Sequence, residues 1–192
     1  DAVAYLRAIV NPDDDVNVRR IVNTPKRGIG DRSEAMVAAH AQRRGISFSA
    51  ALAEVDDILG LAPRGAKLLG QFRDLMAELR ALDQGPADIL DAVLDRTGYL
   101  AQLRASDDPQ DASRIENLAE LHAVAAEFEA ADPEGDLADF LERVSLVADS
   151  DQIPTDDDDG GVVTLMTLHT AKGLEFPVVF LTGLEDGTFP HL

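Results

Sequence analysis

The sequence predicts a mainly α-helical protein followed by a short α/β segment, and three observations carry that prediction. Apolar residues recur at three- and four-residue spacing through most of the chain up to about residue 150, as in helices that bury one face. Gly, Pro, Asp and Thr interrupt these runs at helix-length intervals. Only near the end, at Val162 to Leu168 and Val178 to Leu181, do β-branched and apolar residues run consecutively, as in strands buried on both faces.

Taken in order, Val3, Leu6, Ile9 and Val10 share one side of a helix that starts at Asp1. Asn11-Pro12 ends it, because the residue before a proline avoids the helical region. Asp13 to Asp15 caps a second helix, Val16 to Val22, that turns Val18, Ile21 and Val22 inward and leaves Arg19 and Arg20 free to reach out. After Thr24 to Gly30 a third helix begins. Its Asp31 and Glu34 have capping-box spacing, and Met36, Val37 and His40 form its inward face until Gly45.

Phe48 to Leu59 is short and alanine-rich. Arg64 to Leu82 then carries a full stripe, Leu68, Leu69, Phe72, Leu75, Met76, Leu79 and Leu82, which reads as core packing rather than as a cofactor box. Gly85-Pro86 breaks the chain before a helix marked by Ile89, Leu90, Val93 and Leu94 that closes at Thr97-Gly98. Tyr99 to Leu103 adds a turn or two. The loop Ser106 to Asp111 leads into a long helix, Ala112 to Ala130, facing Ile115, Leu118, Leu121, His122, Ala125 and Phe128 inward. His122 reads as a core-edge histidine. Leu137, Phe140, Leu141 and Val144 mark a last amphipathic helix, and the acidic, Gly-ended stretch Asp149 to Gly161 reads as a linker. The expected division is therefore a helical domain over residues 1–160 and a partial α/β segment over 161–192. No repeat of solenoid period is present.

A hydrophobic share of 45% supports a real core. No apolar run is long enough to span a bilayer and Asp1 opens no signal-peptide pattern, so a cytoplasmic protein with no membrane partner is expected. The absence of cysteine excludes disulfides and thiolate metal sites. His40, His122, His169 and His191 are scattered, and Asp156 to Asp159 lacks the ligand alternation of a calcium loop, so no metal is expected.

The formal charge of −19 opposes general affinity for nucleic acid. One segment departs from that average. Arg19 to Arg44 holds seven basic residues (Arg19, Arg20, Lys26, Arg27, Arg32, Arg43, Arg44) against two acidic ones, leaving 10 basic and 34 acidic elsewhere. If nucleic acid binds, it should bind there.

Two stretches carry chemistry. In TPKRGIG, Thr24 to Gly30, glycines permit close approach of a phosphate, the N–H groups of the following helix favour an anion, and Lys26 and Arg27 add charge. Ile29 would plug into the core and hold the turn. Spacing alone would also suit a plain tight turn between helices. The second stretch, HTAKGLEF from His169 to Phe176, joins the two strand-like runs and offers His, Lys and Glu with one Gly for the bend. Spacing alone would leave its Lys and Glu simply solvated.

The residues themselves go further. VVTLMTLHTAKGLEFPVVFLTGLEDGTFPH, Val162 to His191, closely resembles motif V of the UvrD/Rep/PcrA family of superfamily 1 DNA helicases, down to Phe189, Pro190 and His191. NPDDD followed by TPKRGIG resembles the family's 2B subdomain, an insertion in the second RecA-like domain, as do SRIENLAEL and LADFLERVSLVADSD. The resemblance implies a fragment of an ATP-dependent 3′-to-5′ DNA helicase acting in DNA repair, cut from a larger enzyme. It gives a 2B-type helical subdomain followed by the start of domain 2A, a partial RecA-like fold.

By resemblance, Thr24, Lys26, Arg27, Gly28, Ile29 and Gly30 contact duplex DNA, Thr167 and His169 contact single-stranded DNA, and Gly173 and Glu175 contact ATP. Lys172 belongs to the same loop with no role assigned. The parent enzyme would use ATP and Mg. The phosphate-binding GxxxxGK[ST] loop, the metal-binding acidic pair and the arginine-bearing last motif are not in this sequence, so the fragment is expected to hold no catalytic residue, to bind neither cofactor and to hydrolyse no ATP alone. The alternative reading makes the helical domain chiefly regulatory, binding a repair protein or a second copy of itself through its acidic surface, with DNA contact secondary.

Overall fold

A computed structural model describes residues 1–150, 171 and 175–182. Among these the fold is mainly α, as expected. Nine helices follow one another: α1 (Ala2–Val10), α2 (Asp15–Ile21), α3 (Asp31–Arg44), α4 (Phe48–Ala53), α5 (Pro63–Arg80), α6 (Pro86–Arg96), α7 (Tyr99–Arg104), α8 (Pro109–Ala131) and α9 (Leu137–Ser150), with a 3-10 turn at Val55–Asp57. Two units make up the chain, Asp1–Ser145 and Leu146–Leu192.

Within the first unit, α1 packs against α2, α5 and α6, and α6 in turn against α7 and α8. Because neighbours surround α1, its buried arc is wide: Ala2, Ala4, Tyr5, Leu6 and Ala8 face inward, and the small alanines let the adjoining helices come close. The stripe expected from spacing was misplaced. Val3 and Ile9 lie at the margin and Val10 is 42% exposed. On α2, Val18 and Ile21 are buried as predicted, with Val22 just after them. Leu69, Phe72, Met76 and Leu79 form the buried line of α5, meeting Leu90 and Val93 of α6 in one continuous core. Phe128 on α8 and Phe140 on α9 tilt against each other at 5.6 Å between ring centroids, closing that core at its far end.

Helix starts differ from expectation at two places. α8 begins at Pro109, ahead of the predicted Ala112, because the Asp108 carboxylate accepts from the Gln110 N–H at 2.9 Å and Pro109 fits the first helical position. At α3 the cap is Gly30, with Asp31 already inside the helix, and no side chain caps it. With Gly30 as the cap, Glu34 falls one residue past the capping-box position, and its carboxylate pairs with Arg19 at 3.0 Å.

The expected strand Val162–Leu168 and most of the acidic linker lie outside the described residues. Val178 to Leu181 form no strand: Val178, Val179 and Phe180 are 69%, 68% and 89% exposed. A strand exists only through its ladder, and among the described residues this run finds no partner.

Candidate nucleic-acid interface

The connection from α2 to α3 is built around two side chains of its own. Asn23 Oδ1 accepts from the N–H groups of Arg27, at 2.9 Å, and Ile29, at 3.3 Å, folding the segment back on itself. Gly28 supplies the positive φ, +78°, that reverses the chain. Ile29 then drops into the core, 3% exposed, as its sequence context predicts. Gly30 leaves in an extended conformation at φ −84° and ψ 153°, which any residue can adopt, so the backbone geometry does not require glycine there. A Cβ built there would meet nothing within 4 Å.

The start of α3 is thus open. Among the described residues none accepts from the N–H groups of Gly30, Asp31 or Arg32, which lie at the positive end of the helix dipole. Lys26 is exposed beside the turn. Asp31, also exposed, opposes an anion, whereas Glu34 is neutralised by Arg19.

Arg27, which the sequence offers as a charge beside the turn, is engaged within the protein. Its guanidinium points into the protein, where Nη1 donates to the carbonyls of Ile21 at 3.0 Å, Thr24 at 2.9 Å, Pro25 at 3.2 Å and Val22 at 3.4 Å. Nη2 donates to the Tyr5 hydroxyl, and the guanidinium lies over the rings of Phe72, at 5.3 Å, and Tyr5, at 5.9 Å. The Tyr5 hydroxyl donates onward to the Thr24 carbonyl. Burial pushes the Tyr5 phenol above its usual pKa, more than Arg27 pulls it down, so the proton this bond requires stays in place. Thr24 is similarly engaged, its hydroxyl donating to the Arg20 carbonyl at 3.2 Å.

The basic segment therefore divides. Arg19, Arg20 and Arg44 pair with Glu34, Asp1 and Glu54, Arg27 is internal, and Lys26, Arg32 and Arg43 stand exposed with no ion pair among the described residues. Sequence reading missed two neighbours. A Cβ on Gly28 would sit 3.8 Å from Leu68 of α5, and one on Gly65 would meet Ser33 Oγ at 2.6 Å, so the first turns of α3 and α5 are in contact. Arg64 and Lys67 of α5 are both exposed, and Arg64, one turn before Leu68, shares its side of the helix. The available signal was Gly65, a glycine inside a helical stripe.

Of the second motif, Glu175 is described and exposed, while Thr167, His169, Lys172 and Gly173 lie outside the described residues. Among the described residues no group of three or more His, Asp or Glu could hold a metal, and no helix is long and apolar enough to cross a membrane. His122, the predicted core-edge histidine, pairs at the surface with Asp91 at 3.2 Å.

The profile described as "UvrD-like helicase C-terminal domain" matches residues 65–192. The chain is 53% identical over 209 aligned residues to the ATP-dependent DNA helicase UvrD1 of Mycobacterium tuberculosis, across 100% of this chain and 27% of that protein. It is 47% identical to UvrD1 of Mycobacterium leprae and 41% identical to the ATP-dependent DNA helicase PcrA of Bacillus subtilis, again across its full length, covering 27% and 26% of those proteins. The chain thus spans about a quarter of the length of the curated relatives it matches.

Proposed function

From the premise that the chain belongs to the UvrD-like helicase C-terminal domain family, we propose that it works as part of an ATP-dependent 3′-to-5′ DNA helicase acting in DNA repair. In this reading residues 1–160 form a 2B-type subdomain that meets duplex DNA, and residues 161–192 begin domain 2A. The observation that carries the duplex reading is the open start of α3, with unpartnered N–H groups beside exposed Lys26 in a chain whose net charge is −19. A local opening for an anion beside an exposed lysine, set against an adverse average field, supports that reading.

Lys26 and the N–H groups around Gly30 serve as the phosphate contacts, with Gly28 allowing close approach and Ile29 anchoring the turn from beneath. Arg64 and Lys67 extend the positive surface onto α5. These contacts read backbone rather than bases, so binding is independent of sequence. Thr167 and His169 would hold the single strand, and Gly173 and Glu175 would face ATP in the parent enzyme. Triphosphate and magnesium ligands are not in this sequence, so no step of hydrolysis is assigned to it.

The test is duplex affinity of the 192-residue chain across a salt series. Roughly 10⁻⁴ to 10⁻⁶ M is expected at physiological salt, with a shallow dependence because few phosphates are neutralised. Binding that ignores salt would favour the second reading, a regulatory surface for a repair protein or a second copy. That alternative is supported by the 34 acidic residues outside Arg19 to Arg44.

A further inference from the structure

We infer that Arg27 is a positioning residue, which holds the Gly28–Gly30 turn in the shape that receives a phosphate and does not itself touch DNA. This rests on the duplex reading for its consequence, but its geometry is independent of it. The carbonyls of Ile21, Val22, Thr24 and Pro25 converge from the end of α2 and the start of the turn, where they would otherwise repel one another. One planar cation with several donors satisfies them together, and the rings of Tyr5 and Phe72 fix its plane. Asn23 closes the other side through the Arg27 and Ile29 N–H groups. The turn is thereby clamped to α1 through Tyr5 and to α5 through Phe72, leaving the N–H groups at Gly30 aimed outward.

A ligand arginine and a positioning arginine respond differently to substitution. Arg27→Lys keeps the charge but loses the fork, so a phosphate contact would largely survive and the clamp would not. Tyr5→Phe removes one hydroxyl from the clamp, inside the core and away from any ligand. Three quantities should be measured on both variants and on Lys26→Glu: amide exchange at position 27 and Ile29, whose N–H groups Asn23 holds, against exchange at Leu90 and Val93, duplex affinity, and its salt slope.

For Arg27→Lys we expect faster exchange confined to the turn and about tenfold weaker duplex binding, with the parent's salt slope retained; Tyr5→Phe should show the same pattern more weakly. Lys26→Glu should instead lower the slope, by about one or more, with exchange at the turn unchanged. The inference is overturned if Arg27→Lys leaves turn exchange at the parent rate, whatever its affinity. It is equally overturned if Arg27→Met lowers the salt slope as Lys26→Glu does while the turn stays protected. Should the parent chain not bind duplex at all, the functional reading fails, and turn exchange alone still decides whether Arg27 is the clamp.

Discussion

The N-termini of α3 and α6 start from the same kind of cap and reach opposite ends. Each has glycine at the cap, Gly30 or Gly85, in an extended conformation with no side-chain bond of its own. At α6 the protein supplies the missing anion: Glu129, reaching over from α8, accepts from the Ala87 N–H at 2.7 Å. Its carboxylate lies so close over Gly85 that a Cβ there would meet Oε1 at 2.2 Å. At α3 the corresponding space is vacant of protein and the nearest carboxylate that could turn back, Glu34, is held by Arg19. One helix start is filled by the protein's own carboxylate; the other is left open, and the proposed duplex reading fills it with a phosphate.

The largest effect expected from this comparison falls on the filled end. Glu129→Ala should destabilise the chain by about 1–3 kcal/mol, because Ala87 is buried and its N–H would lose its acceptor. Thermal or urea unfolding measures it. Duplex affinity of the folded protein should not change, since α6 lies outside the proposed interface; a loss there would break the contrast between the two ends.

Next comes the open end. Lys26→Glu should weaken duplex binding about tenfold, roughly 1.4 kcal/mol, while unfolding stays within about 0.5 kcal/mol of the parent, as for exposed positions generally. If this variant binds duplex as well as the parent while folded, the start of α3 is a structural joint and its basic surroundings are incidental.

How much of this could be read in advance follows from the range of the interactions. Ile29 in the core, Val18 and Ile21 on α2 and the Phe72 to Leu79 line on α5 are set by local periodicity, which the sequence displays directly. The clamp could not be read in advance: Arg27 is surrounded in sequence by Lys26 and Gly28, and its partners Tyr5 and Phe72 lie on other helices. Charge count treats Lys26 and Arg27 alike, whereas in the fold one points to solvent and the other is consumed by carbonyls. The Glu129 cap is hidden likewise, because an acidic residue late in a helix gives no sign that another helix begins beneath it. Val178 to Leu181 shows the converse limit, since β-branched composition specifies a strand only together with its neighbour.

A third helix start calibrates the comparison. At α2 the sequence carries its own cap: Asp14 accepts from the Asn17 N–H at 3.0 Å and from its side-chain amide at 2.6 Å, and these bonds, the side-chain one foremost, hold the Asp14 carboxyl below its usual pKa. Asp14→Ala should cost about 1 kcal/mol at neutral pH. Because the folded pKa is depressed, this stabilisation is present above the unfolded value of about 3.9 and is lost as pH falls through the lower folded value. The stability difference between parent and variant should therefore narrow on acidification below about pH 4. A difference that stays constant into strong acid would mean the carboxylate is not the cap.

The smallest effect tests the open end by closing it. Gly30→Ser places a hydroxyl oxygen where φ −84° and ψ 153° are already those of a cap residue, and a Cβ there meets nothing, so no strain opposes it. The hydroxyl can accept from an N–H of the first turn of α3, supplying internally what Glu129 supplies to α6. Stability should rise by a few tenths of a kcal/mol, up to about 0.5, since serine caps only slightly better than glycine. Duplex affinity should fall by about two- to threefold, because a phosphate must displace the hydroxyl and pass the added side chain. The two changes have opposite signs, which separates this outcome from general damage, where stability and binding decline together. Greater stability with unchanged duplex affinity would mean that the N–H groups of α3 are not the phosphate contact and that binding, where it occurs, belongs to Lys26, Arg64 and Lys67 alone.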